Sequence, residues 1–397
     1  MKVTGSVNRV FTTIALFTAI ISRIGLVRCQ LRFASLGNWG TGSKLQKKVA
    51  DTLKSAIANE RVTFIVSPGS NFEYGVTSAK DDKWESQFQS VYRSEDGSME
   101  IPMFTVLGAG DWQGDFNSQV SRNQQAYLTG QINDKSDSKG LPRWTMPNWW
   151  YHYYTHFATT ASMSLLKSGH KDMSVGFIFI DTWILSSAFP YKEVSNAAWA
   201  DLKKVLEIAP RILDFIIVVG DKPIQSSGPS KGDSHLAYYL LPLLREAQVD
   251  AYISGYDHDM EMIDNNGLSM IIAGNGGSSG RRTVMKTSNS VFYSEKAGFC
   301  IHELGADGME TKFINGETGA IMYTHKQPLK KRTQRQYGSE AQNVSAFPNV
   351  SLYPIGDMAS PTQMDAFVRI VGTIGLIIAG IHLTLLTGTT LGKAATI

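Results

Sequence analysis

Ala251-Tyr252-Ile253-Ser254-Gly255-Tyr256-Asp257-His258 is a short apolar strand that runs into a glycine turn and ends on a histidine. Four earlier stretches share the build. Residues 31–36 lead into Gly37-Asn38-Trp39-Gly40, and 62–66 lead into Ser67-Pro68-Gly69-Ser70-Asn71. Residues 104–107 lead into Gly108-Ala109-Gly110-Asp111-Trp112, and 215–219 lead into Gly220-Asp221-Lys222-Pro223. Helical periodicity fills 45–58, 197–208 and 236–247, and further strand patterns lie within 267–326, including 269–273 and 298–303. Strands alternating with helices predict an α/β fold whose strand-end loops carry the functional groups.

The chain is 397 residues long with a formal net charge of +3, too small to imply nucleic acid. Its 43% hydrophobic content is ordinary for a globular domain, so membrane segments must be local. Lys2 and Arg9 precede an apolar run over 10–21, which reads as a signal peptide within 1–30, with an uncleaved anchor as the competing reading. Residues 370–391 carry no Asp, Glu, Lys or Arg and are bracketed by Arg369 and Lys393. That run is long enough to cross ~30 Å of hydrocarbon as a helix, placed at 366–392 with a tail over 393–397. A lipid-anchor signal competes with it. A type I membrane protein follows, its large domain luminal. Residues 326–365 hold the basic cluster Lys330, Lys331, Arg332 and Arg335 with little apolar periodicity, and read as a linker. Two acceptor triplets for N-glycosylation, at Asn343 and Asn349, fall inside it. Cys300 lies in an apolar stretch and is expected as a buried, reduced thiol.

The order of the five loops resembles that of purple acid phosphatases and the wider calcineurin-like metallophosphoesterases, over residues 31–325. In that family the loops read Gly-Asp-x-Gly, Gly-Asp-Asn, Gly-Asn-His-Asp, Gly-His and Gly-His-x-His. Phe177-Ile178-Phe179-Ile180-Asp181-Thr182 and Leu240-Leu241-Pro242-Leu243-Leu244 add framework to the match. The resemblance implies a four-layer α/β/β/α sandwich and a binuclear centre. Two cations there polarise a phosphoryl group and supply a hydroxide nucleophile. Carried over position by position, the ligands are degraded. Asn38 and Ser70 stand where the family has Asp, and Ala109 and Gly110 replace an Asn and the catalytic His. Asp221 and Tyr256 each replace a His, while Asn71, Asp111 and His258 are kept. The family's ligand Tyr falls nearest Glu73 or Tyr74.

Counting donors leaves Asp221, His258, Glu73 or Tyr74, and the neutral carbonyl of Asn38, with no bridge. The expectation is no cofactor; a single divalent cation held weakly by Asp221 and His258 is the most this set offers. Asp111 reads as a loop-capping carboxylate. His152 and His156 are four apart, but the run is β-prone, and on a strand they sit about 13 Å apart, too far for one metal. Gly274-Asn275-Gly276-Gly277-Ser278-Ser279-Gly280 lacks the Lys-Ser/Thr pair of a phosphate loop and reads as a flexible loop at the cleft edge.

Within that family the chain is similar to a membrane-anchored branch, the glideosome-associated proteins of apicomplexan parasites. The residues that carry this are Leu31-Arg32-Phe33-Ala34-Ser35-Leu36-Gly37, the run 61–72, Phe215-Ile216-Ile217-Val218-Val219-Gly220-Asp221 and the run 367–375. The resemblance implies residence in the inner membrane complex and assembly with a myosin motor, its light chain and an acylated glideosome-associated protein. A non-catalytic anchor and scaffold is therefore expected. The reading from another class is a secreted or membrane-bound acid phosphatase with a rebuilt metal site, and tightly bound metal would favour it. In the membrane run, Gly372, Gly375, Ala379 and His382 recur at three- and four-residue steps and form one candidate contact stripe.

Overall fold

The structure, a computed structural model, describes residues 30–332 except 95–96, 98, 127–141, 159–171, 279 and 281–284. The signal segment before residue 30, Asn343, Asn349 and the 366–392 membrane run with Gly372, Gly375, Ala379 and His382 lie outside the described residues. Among the described residues no helix is long and apolar enough to cross a membrane.

Two seven-stranded mixed sheets make the framework. The first is built on β1 (Leu31–Ser35), β2 (Phe64–Ser67), β3 (Met103–Thr105) and β4 (Trp144–Thr145), joined in parallel. On its other side β12 (Gly298–Gly305), β13 (Gly308–Asn315) and β14 (Ile321–Pro328) extend it antiparallel. The second sheet centres on β6 (Asp172–Phe179), β7 (Phe215–Val219), β8 (Ala251–Ser254) and β10 (Leu268–Ala273), also parallel. Antiparallel β5 (Tyr151–Ala158) closes one edge; β9 (Met260–Asn265) and β11 (Ser290–Ser294) close the other. Phe-Ile-Ile-Val-Val of β7 is buried on both faces, the near-continuous apolar run that a parallel central strand requires.

The sheets meet through aromatic rings. Phe33 and Phe64 of the first sheet contact Phe177 of the second edge-on, with centroids 5.0 and 5.2 Å apart. Phe104 stacks on Tyr153 and Phe179, so one layer of rings joins five strands. His302 and Cys300 pair with Phe33 and Ser35 and share this inner face. The thiol is free and buried, as expected.

Helix α1 (Lys44–Glu60) starts at Ser43, whose hydroxyl accepts from the Gln46 N–H, and buries Val49, Leu53 and Ile57. Helix α2 (Asn117–Gln124) lies beside β4: the Asn123 amide donates to the Trp144 carbonyl. Helices α3 (Lys192–Ile212) and α4 (Ser234–Glu246) run side by side, with Trp199 against His235 and Tyr239. Their apolar stripes, Leu202–Leu206 and Leu236–Leu240–Leu244, are buried. Helix α3 outruns the expected 197–208 at both ends; at the C-terminal end Pro210 sits in its last turn instead of ending it.

Two expectations need correction. The domain does not stop at residue 325: β14 continues to Pro328, and Lys330 and Arg332 then dock on the second sheet. The Gly274 loop is tied down rather than flexible over its described residues. Gly276 N–H donates to the Gly37 carbonyl, and the Gly277 carbonyl accepts from Thr41 and Ser43.

Candidate functional site

The carboxyl ends of β1, β2, β3, β7 and β8 converge, and the loops leaving them make the cleft. The approach is close. A Cβ on Gly108 would lie 2.1 Å from the Ser70 nitrogen and 2.5 Å from Asp221 Oδ1, so only glycine lets three loops meet there. At the turns themselves Asn38 (φ 51°), Ser70 (φ 50°) and His258 (φ 55°), none of them glycine, take left-handed backbone. Each costs of order 1–3 kcal/mol and persists because the packing around it leaves no alternative.

Asn38 is buried, and its amide nitrogen donates to the carbonyls of Gly255 and of Gly274, the latter at 2.9 Å. It thus ties the β1 loop to the loops after β8 and β10. Asp221 accepts from the Ala109 N–H at 3.0 Å through Oδ2 and from the Ser70 hydroxyl at 3.4 Å through Oδ1. Gly110 N–H reaches the Ser70 hydroxyl at 3.4 Å. The Asp221 carbonyl takes the N–H groups of Gly255 and Tyr256, both at 3.0 Å. Four of the degraded positions, Ser70, Ala109, Gly110 and Asp221, are therefore bonded to one another. Tyr256 and His258 are half-buried on the adjoining turn. Tyr74 is 66% exposed, so its phenol is turned to solvent and cannot serve as a ligand inside the cleft.

Asp111 does cap its loop. It accepts from the N–H groups of Gly108, Asn71 and Phe72 and from the Gln119 amide at 2.7 Å. Asn71 completes this network through the Val106 carbonyl and the Ser67 hydroxyl. Burial pushes Asp111 up to about 6 despite these donors. Asp181, which accepts from the Trp112 indole and the Trp183 N–H, is pushed to about 7 by burial and by the Asp111 charge. Asp221 reaches about 8, chiefly through burial, with Asp111 and Asp181 adding repulsion.

Beside Asp221 opens a pocket of about 210 Å³ walled by Leu107, Ala109, Trp112, Trp183 and Lys222. Sequence reasoning missed Asp181, Trp112 and Lys222 here. The one available signal was Asp181 at the end of the framework strand 177–180. Lys222 is paired with Asp233 at 3.3 Å.

The donor set does not fit a two-metal centre. At the Asn38 position the group offered is an N–H donor, already spent on carbonyls, and both Asp221 oxygens take protein hydrogen bonds. Among the described residues no group of three or more His, Cys, Asp or Glu side chains is placed to hold a metal ion.

No family model matches the chain. It is 48% identical over 376 residues to glideosome-associated protein 50 of Plasmodium falciparum (isolate 3D7), spanning 93% of this chain and 95% of that protein. The chain belongs to the glideosome-associated protein 50 family. A solved structure described as GAP50, the anchor in the inner membrane complex of Plasmodium, matches this family member with a TM-score of 0.72 at 48% identity, over 81% of this chain and 96% of the other. The tartrate-resistant acid phosphatase type 5 of Sus scrofa is 27% identical over 339 residues, covering 77% of this chain and 89% of the enzyme. A purple acid phosphatase from yellow lupin shares the fold, with a TM-score of 0.50 at 14% identity over 74% of this chain and 53% of that one. The glideosome-associated protein 50 family thus carries a metallophosphoesterase-like α/β fold.

Proposed function

We propose that this protein is a non-catalytic anchor of the gliding-motor complex at the inner membrane complex, built on a phosphatase fold that no longer hydrolyses phosphate esters. The observation that carries the reading is the self-satisfied cleft in a chain 48% identical to a glideosome-associated protein. Where a phosphatase presents carboxylates and imidazoles to two cations, Asn38 donates to backbone carbonyls and Asp221 accepts from Ala109 and Ser70. The apolar run 370–391 anchors the chain in the membrane, with the domain on the luminal side. The myosin motor, its light chain and an acylated glideosome-associated protein are the partners the resemblance implies. They meet the chain at the stripe Gly372, Gly375, Ala379 and His382.

The test has two arms. Para-nitrophenyl phosphate turnover is measured from acid to neutral pH with added Fe, Zn, Mn or Co. Turnover of roughly 1–1000 per second, abolished by His258→Ala, would sink the non-catalytic reading and favour a rebuilt metal site. In parallel, Gly375→Leu with Ala379→Leu should leave membrane insertion intact and weaken co-purification of the motor subunits.

A further inference from the structure

The chain leaves the described domain at Arg332, and what it does just before leaving is informative. β14 is the edge strand of the first sheet, and its last residue, Pro328, pairs with Gly308 at the start of β13. Pulled from that end, an antiparallel edge strand unzips, loading its ladder bonds one after another instead of together. The next residues change this geometry by crossing to the second sheet. Lys330 Nζ donates to the Val249 carbonyl at 2.5 Å. The Arg332 guanidinium donates to the Gln248 carbonyl at 2.7 Å, to the Asp214 carbonyl, and to Asp250 Oδ2 at 2.5 Å. Arg332 and Asp250 are enclosed, with side chains 3% and 2% exposed. Asp250 Oδ2 is itself held by the Ile216 N–H at 2.7 Å. A planar, always-charged fork is thus bonded at once to the residues entering β7 and to those entering β8.

Both strands are central in the second sheet, and the cleft loops leave their far ends. The exit therefore grips the pole of the second sheet opposite the cleft. We propose that Lys330 and Arg332 form a mechanical clasp, which passes tension from the C-terminal exit into β7 and β8 and shields β14 from being peeled away. This rests on the anchor reading, under which force on a partner-bearing membrane span beyond residue 332 is resisted by the domain through this exit.

The full-length protein in detergent, with handles at its two ends, is stretched in optical tweezers. Wild type should resist until the domain gives way in one main step. Arg332→Ala should lower the first rupture force by about a third or more and add an early, small extension as β14 detaches. Arg332→Lys, keeping charge without the fork, should fall between them. If Arg332→Ala does not fold, Lys330→Ala should show the same early step with a smaller loss of force. Arg32→Ala, which removes the Arg32–Glu303 pair inside the first sheet, should lower the main step without creating the early one. A first rupture force and pattern unchanged in both Arg332→Ala and Lys330→Ala would overturn the clasp. Alkaline carbonate extraction reads the anchor separately. Release of wild-type protein from membranes, with the force signature intact, would overturn the membrane as the source of tension and leave the clasp standing.

Discussion

Asn38 shows how a site can be rebuilt by one atom. A carboxylate at this position would face the Gly255 and Gly274 carbonyls across a buried gap, oxygen against oxygen, and would need a cation between them. The amide reverses the sign of the group and bonds both carbonyls itself. Asn38→Asp should therefore destabilise the metal-free protein by about 2–4 kcal/mol, the cost of two lost hydrogen bonds and an unpaired buried charge. Added Mn²⁺ or Zn²⁺ should recover part of that loss, and neither should affect wild type. Urea unfolding with and without metal reads both effects; an Asn38→Asp protein as stable as wild type in a chelator would rule the account out. The loss of the carboxylate was legible in Gly37-Asn38-Trp39-Gly40, but its replacement was not. Gly274 lies 236 residues away, and sequence pattern gives no partner at that range. Asp111 was legible as a cap because loop carboxylates commonly accept from nearby backbone N–H groups. For Asp181 only the local half was within reach of pattern, its bonds to the Trp183 and Ile184 N–H groups; the tie to the cleft runs through Trp112, in a loop 69 residues earlier.

At the scale of elements, the strand-to-loop units were readable because two-sided burial leaves uninterrupted runs such as Phe-Ile-Ile-Val-Val. The short β3 and β4 gave less signal, as their few residues are fixed by parallel neighbours and not by local pattern. The stretch around Lys330 was misread for the opposite reason: its charges resemble a solvated linker, while in the fold they satisfy carbonyls at the ends of other strands. Helix ends offer a cleaner test of local physics. Arg61 closes α1 in left-handed backbone at φ 54°, where a side chain with a Cβ pays of order 1 kcal/mol. Its side chain is exposed, so little packing offsets that cost. Arg61→Gly should raise stability by about 0.5–1 kcal/mol, seen as a higher urea midpoint with an unchanged slope. A lower midpoint would mean that the arginine makes contacts outweighing its backbone strain.

For the whole molecule, the buried acids make a prediction that runs against the usual acid lability of proteins. Asp111, Asp181 and Asp221 hold their protons to about 6, 7 and 8, while the unfolded chain releases them near 3.8. His302 opposes them. It is enclosed between Ser35 and Thr311, and burial lowers it to about 3, so the folded state lacks a proton that the unfolded chain carries up to about 6.5. Between about pH 5 and 6 the folded state therefore binds about three protons at these groups where the unfolded state binds about one. Stability falls as pH rises wherever the folded state binds more protons, by about 1.4 kcal/mol per net proton per pH unit. Above 6.5 the histidine no longer differs between the two states, and Asp181 and Asp221 continue the decline until each ionises. These groups thus favour the fold most between about pH 3 and 4, where the folded and unfolded chains bind equal numbers of protons, and least by pH 8. With a chelator present, so that no cation offsets the carboxylates, the urea midpoint of the full-length protein should climb from pH 8 to pH 5. Asp221→Asn removes the group with the widest window, so it should flatten the climb and gain most over wild type at pH 8. A midpoint that is highest at pH 8, or an Asp221→Asn protein with the wild-type pH profile, would show that the buried carboxyls are ionised in the folded state and held by charge the cleft does not display.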